Sequence, residues 1–302
     1  MTSKRHRASF AAWMTVLGVS GLSAAHVQSP GDTPQARFQS QAYAVRIDVL
    51  VLDDGRPLRG LGRDDFRVTD NGVPQRVDVV SAESIAVDLV AAYDTSGSVR
   101  GDTLLGMRSA LQKVIGQLRP QDRAALVSFS GSLDVTVGPT GDRALLMRQT
   151  AALGAGGRTR LRDGVFAAMA IGADETTRTL VLVLTDGLDT GSWLDGETLA
   201  QLSDRTDATV YVVLMGPDDA GKTDRAVLAD IARRTGGRTV VTRSPDAVGK
   251  VFQQVLGEFN SRYVLSYTPQ PMTRGWHDVQ VSLSGTRRKT IVARRGYWLE
   301  QP

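Results

Sequence analysis

The chain has 302 residues, 36 of them Lys or Arg and 32 Asp or Glu, giving a formal charge of +4, and 41% are hydrophobic. That length exceeds one average domain and supplies enough apolar material for one large or two modest cores. With no cysteine, disulfides, thiolate zinc sites and a lipid-modified N-terminal cysteine are excluded, so the fold must rest on its core.

Lys4, Arg5 and Arg7 precede the apolar stretch Phe10 to Val19, and small residues follow through Ser23, Ala24 and Ala25. This order predicts a secretory signal peptide over residues 1–25 and a secreted or periplasmic protein. Gly18, Ser20 and Gly21 interrupt the stretch, which falls short of the roughly 20 apolar residues of a membrane span. The mature chain is therefore expected to carry no stable span. Cleavage after Ala25 removes three basic residues and no acid, which lowers the formal charge to +1. A nucleic-acid partner requires a basic face and not merely a basic total, so none is expected.

Residues 26–40, rich in Gln, Ser, Pro and Gly, read as a flexible leader. A β segment follows over residues 41–84. In Tyr43 to Asp53, Val45, Ile47, Val49 and Val51 share one face by alternation, and Asp53, Asp54 and Gly55 form a turn. Phe66 to Thr69 and Gln75 to Val80 flank Asn71 and Gly72, a hairpin signal.

From residue 85 to 260 strands and helices alternate. Val87 to Tyr93, Ala124 to Phe129, Leu180 to Leu184, Val210 to Met215 and Thr239 to Thr242 lack polar alternation, as strands buried on both faces do. Helices are predicted over Leu104 to Leu118, Arg143 to Leu153, Leu161 to Ala173, Glu197 to Asp207, Ala226 to Thr235 and Ala247 to Phe259. Leu133 to Val137 alternates and is assigned to an antiparallel edge. The fold class is α/β, a doubly wound, mostly parallel sheet.

Alternation returns over residues 261–302, at Tyr263, Leu265 and Tyr267, then His277 to Leu283, then Thr290 to Arg295. Each flanking β segment is too small to bury a core alone, so the two are expected to pair as a small sandwich with the α/β domain inserted between them. Arg287, Arg288, Lys289, Arg294 and Arg295 are read as solvated edge charges that deter strand pairing.

Three loops carry the candidate chemistry. Asp94, Ser96 and Ser98 end the first buried strand with oxygen-bearing side chains on alternate residues. A hard divalent cation such as Mg²⁺ takes oxygen ligands of this kind, and one carboxylate with two hydroxyls leaves its shell unfinished. Thr159, in the glycine-rich run before a helix, and Asp186, which ends the buried strand at Leu184 and Thr185, can complete it.

The order D-x-S-x-S, then Thr, then Asp resembles the metal-ion-dependent adhesion site (MIDAS) of von Willebrand factor type A domains. Asp94, Ser96, Ser98, Thr159 and Asp186 match all five positions. The β flanks, with Asp65 and Phe66 in one and Ala293 to Tyr297 closing the other, resemble a bacterial group of von Willebrand factor A-related exported proteins. The resemblance implies that Ser96, Ser98 and Thr159 supply direct or near-direct ligands and that Asp94 and Asp186 hold ion-bound waters. It further implies that Mg²⁺, Mn²⁺ or Ca²⁺ keeps one position open for an acidic side chain of a protein partner.

Competing motifs are weaker. Gly216 to Thr223 (GPDDAGKT) fits a phosphate loop letter for letter, which opens the alternative of a nucleotide hydrolase. Pro217, however, has no N–H to give, and Asp218 and Asp219 bring negative charge to an anion cradle. Gly154 to Gly157 joins two helices instead of following a strand, so it lacks the dinucleotide-binding context. Of the three histidines, His6 falls in the signal, His26 in the leader and His277 in the β flank, which leaves no base for a triad at Ser96 or Ser98. The chain is thus expected not to be an enzyme. A structural domain with a vestigial site is the remaining alternative. Intact-mass measurement of the exported protein is expected to give a chain that begins at His26; a cytoplasmic product retaining residues 1–25 would overturn the address.

Overall fold

The computed structural model describes residues 44–80, 85–172, 177–216, 221–244, 247–285 and 289–300. The signal and leader segments, Pro217 to Ala220 of the phosphate-loop-like run, and Arg287 and Arg288 lie outside the described residues. The first strands are β1 (Val45–Asp53), β2 (Arg56–Pro57), β3 (Phe66–Asp70), β4 (Val73–Gln75) and β5 (Asp78–Val80). The α/β portion comprises β6 (Val87–Asp94), α1 (Asp102–Gln117), β7 (Arg123–Phe129), β8 (Leu133–Thr140), α2 (Arg143–Ala151), α3 (Leu161–Ile171) and β9 (Arg178–Thr185). It continues through α4 (Gly196–Ser203), β10 (Thr209–Met215), α5 (Lys222–Arg234), β11 (Thr239–Thr242) and α6 (Val248–Asn260). The chain closes with β12 (Tyr263–Tyr267), β13 (Gly275–Leu283), β14 (Thr290–Val292) and β15 (Gly296–Leu299).

The two β flanks interleave. One sheet runs β14-β1-β12-β5 with β2 on β1, and the other runs β15-β13-β3-β4, so each sheet contains strands from both ends of the described chain. Ile47, Val49, Val51, Phe66, Val68, Leu265 and Val279 fill the space between the sheets. Asn71 (φ +49°) and Gly72 (φ +78°) form the two-residue turn between β3 and β4, both in the left-handed region that this hairpin requires. The strand expected over Gln75 to Val80 is broken in two. β4 pairs with β3, whereas β5 pairs with β12 in the opposite sheet, and buried Val77 fills the crossing between them.

In the α/β portion the strand order is β11-β10-β9-β6-β7-β8, parallel except for β8, which runs antiparallel on β7. Every residue of β6, β9 and β10 is buried, because helices cover both faces of the sheet. Leu104, Met107 and Leu111 of α1 and Phe252 and Phe259 of α6 pack on one face. Val165 of α3, Leu199 of α4 and Leu228 and Ile231 of α5 pack on the other. Two helix bounds differ from expectation by about a turn. α4 ends at Ser203, where Asp204 caps it and accepts two hydrogen bonds from Arg234 (3.0 and 2.8 Å). α5 starts at Lys222, earlier than its apolar periodicity begins, because Gly221 takes a left-handed conformation (φ +63°) that opens the helix.

Buried arginines join the sandwich to the sheet. Arg178, at the start of β9, donates to Asp48 of β1 (Nε, 2.8 Å) and to the Phe259 carbonyl (3.1 Å), with its guanidinium 4.3 Å from the Phe259 ring centroid. Arg262 donates to the carbonyls of Asp48 (3.2 Å) and Gly236 (2.6 Å) and to the Tyr211 hydroxyl (2.9 Å). Arg294 corrects its reading as a solvated edge charge. It is buried where the chain passes from β14 to β15, donates to the Gly296 carbonyl (2.7 Å) and pairs with Asp207 before β10. Lys289, just before β14, departs from that reading too: its side chain is 12% exposed and pairs with Asp53.

Removing one partner of a buried ion pair strands the other. Arg178→Ala is expected to lower unfolding free energy by about 3 kcal/mol. Arg63→Ala, which breaks only exposed pairs with Asp64 and Asp78, should change it by less than about 1 kcal/mol. Urea denaturation of the two variants measures both, and equal losses would show that the buried arginine is not a special anchor.

Candidate metal centre

β6 and β9 are neighbours with Tyr93 opposite Leu184, so their C-terminal ends deliver Asp94 and Asp186 side by side. From β6 the next strand in sequence, β7, lies on the opposite side from β9. The site therefore sits where strand order reverses, at the carboxyl ends of the strands, the location at which open α/β sheets form crevices.

Asp94 has no solvent exposure. One carboxylate oxygen accepts the Ser96 backbone N–H (2.8 Å) and the other accepts the Thr185 hydroxyl (2.9 Å), while Thr185 Oγ1 accepts the Gly187 N–H (3.0 Å). The hydroxyls of Ser96, buried, and Ser98, exposed, are 3.0 Å apart. The glycine-rich run lies along this loop: Gly156 N–H donates to the Thr95 carbonyl (2.7 Å), and Gly97 N–H donates to the Gly157 carbonyl (3.1 Å). Gly157 adopts φ +83°, and a Cβ there would stand 3.3 Å from the Gly131 nitrogen, so this close approach needs glycine.

Thr159 is buried two residues beyond, and its backbone exchanges two hydrogen bonds with Thr190. Its N–H donates to Thr190 Oγ1 (2.9 Å) and its carbonyl accepts the Thr190 N–H (3.0 Å). Asp186, half-buried, accepts the Leu188 N–H (3.1 Å) on its carboxylate, and its carbonyl accepts the Arg225 guanidinium (2.7 Å). These bonds bring all three candidate loops together. Asp94, Ser96 and Ser98 share one, Thr159 is tied to it through the glycines, and Asp186 leads the loop that holds Thr159.

The sequence reading missed the residues that brace these loops. Thr185 fixes Asp94. Asp163, buried in the first turn of α3, accepts the N–H groups of Trp193 and Leu194 (3.1 Å each to Oδ1). Asp189 accepts N–H groups from Gly191 (3.2 Å) and Ser192 (3.0 Å) and the guanidinium of Arg162 (3.2 Å). Against the opposing effect of burial, hydrogen bonds from Ser192 and Arg162 hold the Asp189 carboxyl below the usual range. The density of Asp, Thr and Ser after Asp186 was the available signal, since such residues turn loops through their own backbone. Of the phosphate-loop-like run, Gly221 packs against Gly187: a Cβ would meet the Gly187 carbonyl oxygen at 2.1 Å. Lys222 and Thr223 are exposed in the first turn of α5.

Burial chiefly, with the negative charge of Asp186 adding to it, pushes Asp94 up to about 6, against hydrogen bonds from Ser96 and Thr185. A cation between these loops would remove that penalty. The donors suit a hard divalent ion, with hydroxyl oxygens backed by two carboxylates that retain free lone pairs. Among the described residues no cluster of three or more His, Asp or Glu side chains exists that would hold an ion by charge alone.

The family model of the von Willebrand factor type A domain matches residues 89–188, a span that contains all five residues. The chain carries a von Willebrand factor type A domain. Among solved structures it is similar to a von Willebrand factor type A protein from Catenulispora acidiphila, at 14% identity and TM-score 0.52, covering 85% of this chain and 75% of that one. It is also similar to proximal thread matrix protein 1 of the mussel byssus, solved with a zinc-occupied MIDAS motif, at 17% identity and TM-score 0.53. That match covers 62% of this chain and 49% of the mussel protein, about half its length. These likenesses are of fold. No curated protein matches the sequence.

The electrostatics of the type A domain generate a prediction with a definite sign. A carboxyl whose pKa rises on folding, here from 3.8 to about 6, destabilises the fold progressively as pH climbs through that window. A shift of about two units corresponds to about 3 kcal/mol. Without divalent cation, Asp94→Asn is expected to be at least as stable as wild type at pH 7.5 and to lose that advantage at pH 4. Thermal melts of both proteins in chelator at the two pH values check this, and a large loss of stability in the variant at pH 7.5 contradicts it.

Proposed function

We propose that the chain is an exported, non-enzymatic interaction module that binds a protein partner through a divalent cation at Asp94, Ser96, Ser98, Thr159 and Asp186. The observation that carries this reading is the joining of three loops around a buried aspartate whose charge is left for an external cation to balance. By the family resemblance, Ser96, Ser98 and Thr159 face the ion, Asp94 and Asp186 hold its waters, and an open position takes the partner's carboxylate. Few anionic groups touching the ion directly would leave it electrophilic, which suits recognition of an acid. Mg²⁺ is the first ion to test, with Mn²⁺ and Ca²⁺ beside it.

Catalysis is disfavoured by the surroundings. The one described histidine, His277, is buried in the sandwich against Asp70, and a lone cation without a nearby base is a poor hydrolytic design. Export is supported by the charged start and short apolar stretch of the sequence. Among the described residues no helix is long and apolar enough to cross a membrane.

Calorimetric titration of Mg²⁺ and Mn²⁺ into wild type is expected to show one site, which Asp94→Ala and Asp186→Ala abolish without unfolding the protein. Capture of partners from envelope extract should disappear in chelator and in both variants. Undiminished capture under those conditions would leave the structural-domain reading standing. ATP binding by wild type that is lost in Lys222→Ala would favour the nucleotide reading instead.

A further inference from the structure

The border of the cation site carries positive charge that the protein itself does not neutralise. Arg158 and Arg160 flank Thr159, and neither is ion-paired among the described residues. Arg100 follows Ser98 by two residues and is likewise unpaired among the described residues. Its guanidinium lies 3.7 Å from the position a Cβ would take on both Gly97 and Gly156, over the seam between the Asp94 loop and the glycine-rich run. The acids of the neighbouring loop are committed elsewhere. Asp189 is held by Arg162 and backbone N–H groups, Asp163 by the N–H groups of Trp193 and Leu194, and Asp224 by the Asp189 N–H (3.1 Å).

Beside Arg160 stands Trp193, 85% exposed, the most exposed large hydrophobic side chain among the described residues. Its backbone is pinned by Asp163, and the Arg160 guanidinium lies 5.2 Å from its ring centroid. A large ring presented to water on a braced loop, stacked with arginine, has the composition of an interface anchor.

We infer that Arg100, Arg158, Arg160 and Trp193 form a rim that selects a short acidic segment of a protein partner. One carboxylate reaches the cation, its neighbours pair with the guanidiniums, and an apolar side chain packs on Trp193. This deepens the cation-site reading and rests on it. Guanidinium forks match carboxylates in geometry as well as charge. A long phosphate backbone fits less well. Asp102, two residues past Arg100, and Asp195, two past Trp193 and the cap of α4, are exposed acids near the rim in sequence. Asp134 is exposed three residues past Gly131, which packs on Gly157. Exposed acids so near the rim in sequence disfavour an extended polyanion more than a short segment.

The test uses the full chain with three fluorescent probes: a ten-residue peptide of Asp and Glu with one Phe, its Asn and Gln counterpart, and an oligodeoxythymidylate of equal charge. Binding is measured in Mg²⁺ and in chelator. Calorimetric Mg²⁺ affinity is followed separately for wild type, Arg100→Ala, Arg158→Ala/Arg160→Ala and Trp193→Ala. The acidic peptide is expected to bind wild type in Mg²⁺ and to weaken about tenfold in the double arginine variant and about fivefold in Trp193→Ala, with Mg²⁺ affinity unchanged. The amide peptide and the oligonucleotide should bind at least about tenfold more weakly than the acidic peptide. Intact Mg²⁺ binding with rim variants that hold the peptide as tightly as wild type would overturn the rim and spare the cation site. Equal or tighter binding of the oligonucleotide would also overturn it. Failure of wild type to take up Mg²⁺ would instead sink the cation-site reading. Rim-dependent peptide binding would then preserve the rim alone, and no peptide binding would remove both.

Discussion

The site depends on a strand that cannot meet water anywhere along its length. β6 is buried at all eight residues, with helices on both faces and β7 and β9 on both edges. Asp88, near its start, is paired with Arg123 and Thr177, the residues after it are apolar up to Tyr93, and the residue at which the chain leaves the sheet is Asp94. β9 obeys the same constraint and releases its chain immediately before Asp186. Parallel pairing puts both exits at the same end of the sheet, and the reversal of strand order leaves room between the loops that follow. The geometry of the centre is thus a consequence of hydrophobic burial in the two strands beneath it.

The loops are held by polar groups that do not join the centre themselves. Arg225, buried on α5, donates to the carbonyls of Asp186 (2.7 Å) and Met215 (3.2 Å), tying the ends of β9 and β10 together. Thr185 joins Asp94 to the turn at Gly187, and Thr190 joins that turn's continuation to Thr159. At the other end of the sheet, Arg178 and Arg262 anchor the sandwich through Asp48. The candidate loops and the sandwich therefore occupy opposite ends of the same strands: Arg178 begins β9 and Thr185 ends it.

Much of this was legible in the sequence because the signals were periodic or local. Unbroken apolar runs identified β6, β7, β9 and β10, and alternation identified β1 and β13. The spacing of Asp94, Ser96 and Ser98 needed no tertiary information. What escaped was set by long-range packing. Nothing local at Gln75 to Val80 states that the chain changes sheets at Val77. Arg294 looks like an edge charge until Asp207, 87 residues earlier in the chain, is seen beside it. Thr185 and Asp163 read as an ordinary strand end and an ordinary helix start, and only their partners reveal that they brace the site.

Two buried aspartates show how differently one chain treats the same problem. Asp70, in the sandwich, is surrounded by donors: His277 Nδ1 at 2.6 Å, the Tyr267 hydroxyl at 2.9 Å and the Tyr297 hydroxyl at 2.7 Å. The second nitrogen of His277 lies 2.6 Å from the Thr273 carbonyl, so the ring is held on both sides. Burial raises the pKa of both phenols, so Tyr267 and Tyr297 remain donors. That carboxylate is satisfied by partners from within the fold and ties β3, β12, β13 and β15 together. Asp94 receives hydrogen bonds from Ser96 and Thr185, faces a second carboxylate in Asp186, and among the described residues has no cationic partner. A buried acid balanced by its own fold has little to gain from an added cation. One left unbalanced gains most, and the chain places such an acid at the carboxyl ends of the strands, where the strand order reverses.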